Sequence, residues 1–177
     1  MSLNHSFIAE LQQEAASTRK MLERVPVSKN DWKPHAKSMK LGRLAMHVAE
    51  LPGWVTLIMS TDELDFAKFD YKPVMAETTE QLVTKHDDDV EQAISILELS
   101  KDEDFDKMWT LRTADHIHFT LPRKVAMRAY ALSHLYHHRG QMSVYLRLLD
   151  IPVPGVYGPT ADDMPAPAPA EEMAMAN

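Results

Sequence analysis

The stretch HLYHHRGQ occupies residues 134–141 and places three of the chain's nine histidines within five positions. His134 and His138 are four residues apart, and an α-helix stacks residues at that spacing on one face. Two imidazoles on one helical face can bind the same metal ion. The stretch therefore predicts a helix that carries part of a metal site.

The polar face of this helix continues beyond the histidines. At about 100° per residue, His134, His138, Gln141 and Tyr145 fall within roughly 60° of one another. Such a stripe must face solvent or find partners, because burying unsatisfied polar groups is costly. Gln141 and Tyr145 are the candidate catalytic residues, able to bond a metal-bound water or a substrate. Ordinary polar packing of a helix explains both of them equally well.

Apolar residues recur at helical spacing through most of the chain. The first predicted helix begins near Leu3 and ends before Pro26. The second begins at Ser38 as its N-cap, carries His47 inward and is interrupted at Pro52, which cannot donate a backbone hydrogen bond. His47 is thereby the third imidazole available to the polar stripe.

The third predicted helix opens at a capping box formed by Thr78 and Gln81. Residues 109–119 alternate around a polar turn, which predicts a short β-hairpin or extended excursion before the last helix. The last helix starts between residues 120 and 123 and continues to about Asp150. Four long helices predict an all-α four-helix bundle, a fold that builds its sites from side chains on facing helices.

Composition limits the classes of protein and site. The 177 residues suit one domain, predicted at 1–163, followed by a flexible low-complexity tail at 164–177. The absence of cysteine excludes disulfides and thiolate metal sites, and a net charge of −7 argues against nucleic acid. The sequence shows neither a secretory signal nor a membrane-spanning run, so we expect a cytoplasmic protein with no membrane partner.

The remaining histidines are weaker candidates. His137 points about 100° away from His138 and off the stripe, so it is interpreted as a supporting or interface residue. His86 falls near the inner face of the third helix, where structural packing is the simpler explanation and approach to the site the alternative. His116 and His118 share a strand face without a third ligand, which is typical of a solvated surface.

Two charged residues flank the candidate ligands. Glu50, one turn after His47, is the nearest candidate general base, although a salt bridge explains it more simply. Arg139 is predicted to make a salt bridge or to bond a loop carbonyl. From spacing alone, metal binding and hydrogen-bonded packing of the histidines both stand as explanations.

Two segments, WKPHAKSMKLGRLAMHVAELPGW and HLYHHRGQMSVYLRLLDIPVPGVYGPTAD, closely resemble the DinB family of DinB/YfiT-like candidate metalloenzymes, in matching order from about residue 5 to 163. The family pattern has a histidine on the second helix and an H-x-x-x-H-R-G-Q run on the last bundle helix. The resemblance implies an up-down-down-up bundle with a divalent metal, nickel or zinc, bound by His47, His134 and His138. It also implies a bacterial homodimer.

The resemblance further implies an activity on a small-molecule substrate. Family members with assigned activities are transferases or isomerases that use bacterial thiols such as bacillithiol or mycothiol. We therefore expect a thiol-dependent S-transferase, with the low-molecular-weight thiol as cosubstrate. The alternatives are a metal-dependent hydrolase that uses metal-bound water, and a non-enzymatic, metal-stabilised binding module of a stress response.

Overall fold

Helices dominate the part of the chain that the computed structural model describes, residues 2–164. They are α1 (Leu3–Leu22), α2 (Leu41–Glu50), α3 (Gly53–Ser60), α4 (Thr79–Leu99), α5 (Arg123–Ala126) and α6 (Ser133–Leu148). A π-helical segment, Met127–Leu132, joins α5 to α6, so residues 123–148 form one long helix. Helix α4 packs against α1, α2 and α3, and α6 packs against α1 and α2.

The start of α4 confirms the predicted capping box. The Thr78 hydroxyl accepts a hydrogen bond from the Gln81 backbone N–H at 3.2 Å, and the Gln81 side chain accepts from the Thr78 N–H at 3.4 Å. Two N–H groups that the helix itself cannot pair are thereby satisfied. This cap fixes where α4 leaves the preceding loop.

The start of α2 differs from the prediction. The helix begins at Leu41, with Lys40 and not Ser38 in the N-cap position. The Leu41 N–H donates to the Trp32 carbonyl at 2.8 Å, and the Ser38 N–H donates within its own turn to His35 at 3.0 Å. A loop carbonyl supplies the acceptor that a capping side chain would otherwise provide, and this contact is not visible in the sequence.

The predicted interruption at Pro52 is confirmed. Helix α2 ends at Glu50, and the turn that follows is tightened by a bond of 3.1 Å from the Trp54 N–H to the Leu51 carbonyl. A Cβ atom on Gly53 would lie 3.1 Å from an oxygen of Asp89 on α4. Glycine at this position therefore allows the Asp89 carboxylate to approach the first turn of α3.

A small sheet corrects the prediction of a purely all-α fold. Its strands are β1 (Glu63–Asp65), β2 (Met108–Thr113) and β3 (His116–Pro122). The predicted hairpin is the antiparallel pair β2–β3, and β1 adds to it in parallel, with Leu64 opposite Leu111. Three residues are too few to show the alternation that predicts a strand, so β1 was not expected.

Two apolar clusters fill the bundle. One lies around α2 and the C-terminal part of α6, and the other lies between α3, the π-helical segment and the sheet. Trp54 and Tyr136 contact both clusters. None of the helices in residues 2–164 is long and apolar enough to span a membrane. The tail predicted at 164–177 lies, apart from Met164, outside the described residues.

Candidate metal centre

Three imidazoles converge between α2 and α6. The Nε2 atom of His134 lies 2.9 Å from the Nε2 atom of His138 and 3.3 Å from that of His47. Each ring offers a nitrogen within 4.8 Å of those of the other two, and all three side chains are half-buried. The structure thus brings together His47, on one helix, with the two histidines that one turn of α6 places side by side.

The hydrogen-bond partners of the two α6 histidines favour the tautomer that carries its proton on Nδ1. The Nδ1 atom of His134 lies 3.3 Å from the Tyr130 carbonyl, and that of His138 lies 2.8 Å from Oε1 of Gln141. Both oxygens are acceptors, so both Nδ1 atoms are donors. In the neutral rings the two Nε2 atoms are then bare lone pairs facing each other, an arrangement that a shared cation stabilises.

The spacing of these nitrogens suits a transition-metal ion. Zinc binds imidazole nitrogen at about 2.0–2.1 Å, which separates two ligand nitrogens by about 2.9 Å at a right angle and by about 3.3 Å at a tetrahedral angle. The observed separations of 2.9 and 3.3 Å match these values. The three histidines could therefore hold a metal ion. Imidazole suits nickel as well as zinc, so the donor set leaves the element open.

The surroundings keep these rings neutral. The pKa of His47 is lowered to about 3, mainly by burial and also by the neighbouring His138 and His134 rings and by Arg43. Burial also lowers the pKa of His134 and of His138, with the adjacent histidines contributing. Neutral imidazole is the form that binds metal, so the site is preset for ligation near neutral pH.

A cavity of about 860 Å³ opens beside the histidines. His47 and His134 lie on its wall, together with Glu50 and Arg43 from α2. Its other lining residues come from α3, α4 and the loop around β1, and they include Trp54, Leu57, Leu64, Phe66, Phe69, Tyr71, Lys85 and Asp89. The volume is typical of small-molecule sites, which are mostly apolar with a few polar groups.

The two predicted catalytic residues have hydrogen-bond partners within the protein. Gln141 accepts from His138, as described above. The Tyr145 hydroxyl donates to the Met39 carbonyl at 3.2 Å, and its ring meets Trp32 edge to face at a centroid distance of 5.6 Å. The contact of Gln141 orients His138, a candidate metal ligand. The contacts of Tyr145 pack α6 against the loop before α2. Direct catalytic roles for both stay predictions.

The other histidines remain apart from the cluster. His86 is fully buried, and its Nε2 atom lies 3.2 Å from the Ala15 carbonyl of α1, so packing is its role. His137 is exposed, with its ring 4.8 Å from that of His138. His116 and His118 lie on the exposed face of β3, as expected of a solvated pair.

Glu50 takes part in the salt bridge that the sequence suggested. Its Oε2 atom lies 3.7 Å from Nη1 of Arg43 and accepts a hydrogen bond of 2.7 Å from the Tyr71 hydroxyl. Burial and this bond raise the pKa of Tyr71 to about 12. Sequence reasoning missed both Arg43 and Tyr71, although the position of Arg43 one turn before His47 could have drawn attention to it.

A second charged pair in the cavity wall, Lys85 and Asp89, is joined by direct hydrogen bonds. The Lys85 ammonium lies 2.7 and 2.8 Å from the two carboxylate oxygens of Asp89, four residues later on α4. Burial raises the pKa of Asp89, and the Lys85 charge acts against that rise. The two side chains therefore largely satisfy each other.

Arg139 lies in a buried network that the sequence indicated only in outline. Its Nη2 atom donates to a carboxylate oxygen of Glu14 at 2.5 Å and to the Tyr157 hydroxyl at 2.7 Å. Its Nη1 atom donates to the Glu14 carbonyl at 3.1 Å and to the Thr18 hydroxyl at 3.0 Å. The predicted salt bridge is present, and the carbonyl belongs to helix α1 and not to a loop. The network ties α6 to α1 and to the loop after α6.

Fold and site together define a class of protein, a helical bundle whose facing helices bring three histidines to one point beside a cavity. The chain belongs to the DinB family, whose family model matches residues 1–172. A similar curated protein is the uncharacterized protein YrdA of Bacillus subtilis (strain 168), 28% identical over 167 residues, which are 92% of each chain.

Two solved structures share the fold. A DinB-like protein of Bacillus cereus ATCC 10987 is 22% identical, with a TM-score of 0.65, covering 86% of this chain and 97% of that one. The DinB-like protein YjoA of Bacillus subtilis is 16% identical, with a TM-score of 0.64, covering 83% and 96%. At these identities the likeness concerns the fold.

Proposed function

We propose that this protein is a divalent-metal-dependent enzyme that transfers the sulfur of a low-molecular-weight thiol to an electrophilic small molecule. The observation that carries the proposal is the position of His47 and His134, which belong both to the three-nitrogen cluster and to the wall of the 860 Å³ cavity. A ligand in that cavity would lie next to an ion held by the histidines. The family resemblance supports the choice of a thiol.

The donor set favours a catalytic site over a structural one. Within residues 2–164, the group of side chains close enough to share one ion consists of the three histidines, without a carboxylate. Structural zinc sites ordinarily use four protein ligands, whereas catalytic sites use three and leave a position for water or substrate. The chain contains no cysteine, so a reacting sulfur must come from a cosubstrate.

The protein's own residues have separate tasks in this proposal. A divalent ion in the site would supply the positive charge that lowers the pKa of a thiol or water beside it. Gln141 and the Tyr130 carbonyl hold the rings of His138 and His134 with Nε2 toward the ion position. Trp54, whose ring centroid is 6.4 Å from that of His134, forms part of the apolar cavity wall beside the histidines.

Hydrolysis is the near alternative, because Glu50 gives it a candidate base. Its carboxylate lies on the cavity wall one turn after His47 and could accept a proton from an attacking water. Its Oε2 atom already accepts the Tyr71 hydroxyl and lies 3.7 Å from Arg43, so this oxygen is engaged within the protein, and this favours the thiol reaction.

Metal content tests the ligand assignment. Elemental analysis of the purified protein should give about one nickel or zinc ion per chain. Replacing His47, His134 or His138 with alanine should abolish stoichiometric binding, while His137→Ala, next to a candidate ligand, should retain it. Circular dichroism checks that each variant is folded. Folded His47→Ala and His138→Ala proteins with full metal content would refute the site.

Turnover tests the reaction. The metal-loaded protein is mixed with bacillithiol, mycothiol or glutathione and an aryl chloride, and formation of the carbon–sulfur bond with release of chloride and a proton is followed by absorbance. Product should require the thiol and should fall with a chelator or with His134→Ala. Ester cleavage that needs metal but no thiol would favour the hydrolase. Stoichiometric metal without either activity would favour the non-enzymatic binding module.

A further inference from the structure

Arg43, whose side chain lines the cavity, has a buried hydrogen-bond donor without a partner in the part of the chain that the structure describes. It lies on α2 one turn before His47, and both side chains line the same wall. Its Nη1 atom is shielded from solvent and has no hydrogen-bond partner among the described residues. A buried donor without an acceptor is costly, and the cost is larger for a charged group. An acceptor brought by a ligand would remove that cost.

Glu50 does not fill this position. Its Oε2 atom is 3.7 Å from Nη1 of Arg43, which is beyond hydrogen-bonding distance. The same oxygen accepts the Tyr71 hydroxyl at 2.7 Å. The Cζ atom of Arg43 also lies over the Tyr71 ring, 5.5 Å from the ring centroid, which is a cation–π contact. The guanidinium of Arg43 is thus incompletely hydrogen-bonded within the described residues.

The remaining walls indicate what kind of molecule fits. Lys85 and Asp89 pair through two short contacts, whereas the Arg43 guanidinium lies 3.7 Å from Glu50 without a hydrogen bond to it. Arg43 is therefore the cation, among the described residues of the cavity wall, that still needs an acceptor. The apolar lining is supplied by Trp54, Leu57, Leu64, Phe66 and Phe69. A guanidinium matches the two oxygens of a carboxylate, and aromatic side chains suit an apolar body.

We propose that Arg43 binds the carboxylate of a small organic acid whose apolar body lies along the aromatic wall of the cavity. This assigns a substrate class to the proposed metal-dependent enzyme and rests on that proposal for its biological use. The binding contact itself does not depend on the ion. Three neutral imidazoles leave the positive charge of a bound ion intact, so the ion would favour the same anionic ligand.

The test compares dansylglycine with its uncharged analogue dansylglycinamide, by the rise in dansyl fluorescence on binding. The unmodified protein should bind the carboxylate at least about tenfold more tightly than the amide, as for a charged hydrogen-bonded pair. Arg43→Met keeps most of the apolar stem and should bring the ratio close to one. Arg147→Met, on the outer part of α6 and paired with Asp162, is the matched control and should leave the ratio unchanged.

Glu50→Gln provides a gain of binding that a misfolded protein cannot mimic. Removing the negative charge beside Arg43 should tighten dansylglycine binding several-fold, and glutamine can still accept the Tyr71 hydroxyl. Unchanged or weaker binding would count against the proposal. Equal affinity for the two probes in the unmodified protein would overturn it.

All titrations are made with chelator-treated and with zinc-loaded protein. The carboxylate preference should persist without zinc and should depend on Arg43 in both states. A preference that is present only in the zinc-loaded protein and survives Arg43→Met would show that the ion, and not Arg43, holds the carboxylate. Metal content and thiol turnover are measured separately. If the protein shows no thiol turnover, the ratio of the affinities for dansylglycine and dansylglycinamide still tests the role of Arg43.

Discussion

Two polar clusters depend on neighbouring residues of α6 and differ in how completely their groups are paired. At His138, the nitrogens of three imidazoles converge, and those of His134 and His138 face each other with bare lone pairs. At Arg139, the guanidinium donates to Glu14, Thr18 and Tyr157 through four hydrogen bonds. The polar groups around Arg139 are all hydrogen-bonded within the protein. The histidine cluster instead leaves nitrogen acceptors that point at a common centre.

The difference separates residues that hold the fold from residues that hold a ligand. A buried ion pair stabilises a protein only when its partners satisfy it, and removing one partner leaves an uncompensated charge. Convergent unsatisfied nitrogens lower stability unless something binds them. The Arg139 cluster should therefore respond to mutation through unfolding, and the histidine cluster through metal affinity.

The largest expected effect is on stability, at Arg139. Arg139→Met should lower the free energy of unfolding by about 3–5 kcal/mol, because the Glu14 carboxylate, only 5% exposed, would lose its charge partner. Urea denaturation measures the change. Arg147→Met, which breaks a half-exposed pair with Asp162, should cost less than about 1 kcal/mol.

A double variant sharpens this test. Adding Glu14→Gln to Arg139→Met removes the stranded charge and should recover part of the lost stability. A single Arg139→Met loss no larger than that of Arg147→Met would mean that the cluster is not the structural tie that its geometry indicates.

A smaller effect is expected on metal affinity, at Gln141. Gln141→Leu removes the acceptor that orients His138 and should weaken metal binding about 10–100-fold. Gln141→Glu keeps an oxygen in reach of Nδ1 and should bind at least as tightly as the unmodified protein. Affinity is measured by competition with a chromogenic chelator. Equal weakening by both substitutions would show that packing, and not orientation of the ring, is the function of this side chain.

The sequence could predict the elements that local rules control. The Thr78–Gln81 capping box marks the start of α4. The interruption of the helix at Pro52 follows because proline has no backbone N–H to donate. The convergence of His134 and His138 follows from their spacing on a helix. The inward position of His47 was inferred from its apolar neighbours, Leu44 and Leu51, both fully buried in the structure.

Features that depend on contacts distant in sequence could not be predicted in the same way. The start of α2 is set by the Trp32 carbonyl, and β1 is defined by pairing with a strand more than 40 residues later. The π-helical segment before His134 has no sequence signature. Arg43 looks like an ordinary surface arginine until the Tyr71 loop is seen to cover it.

The smallest expected effect concerns a third polar cluster, around Asp65 at the sheet. Like the Arg139 cluster, it is hydrogen-bonded within the protein. The Asp65 carboxylate accepts hydrogen bonds from the backbone N–H groups of Ala114, at 2.9 Å, and Ala67, at 3.0 Å. Ala114 has a φ of 48°, in the left-handed region, so this bond supports an unfavourable turn. The bonds from Ala114 and Ala67 hold the pKa of Asp65 below its usual range.

The sign of the pH dependence follows from that shift. A carboxylate whose folded pKa is lowered contributes stability above its unfolded pKa of about 3.9, and this contribution is lost as the pH falls through the folded value. Asp65→Asn should therefore unfold more easily than the unmodified protein at pH 7, with a gap that shrinks toward pH 3. Urea denaturation of chelator-treated protein at the two pH values measures this gap. For Asp70→Asn, whose side chain is 82% exposed, the gap should be small at both pH values. An Asp65 gap that stays constant with pH would show that the ionised carboxylate does not support the turn.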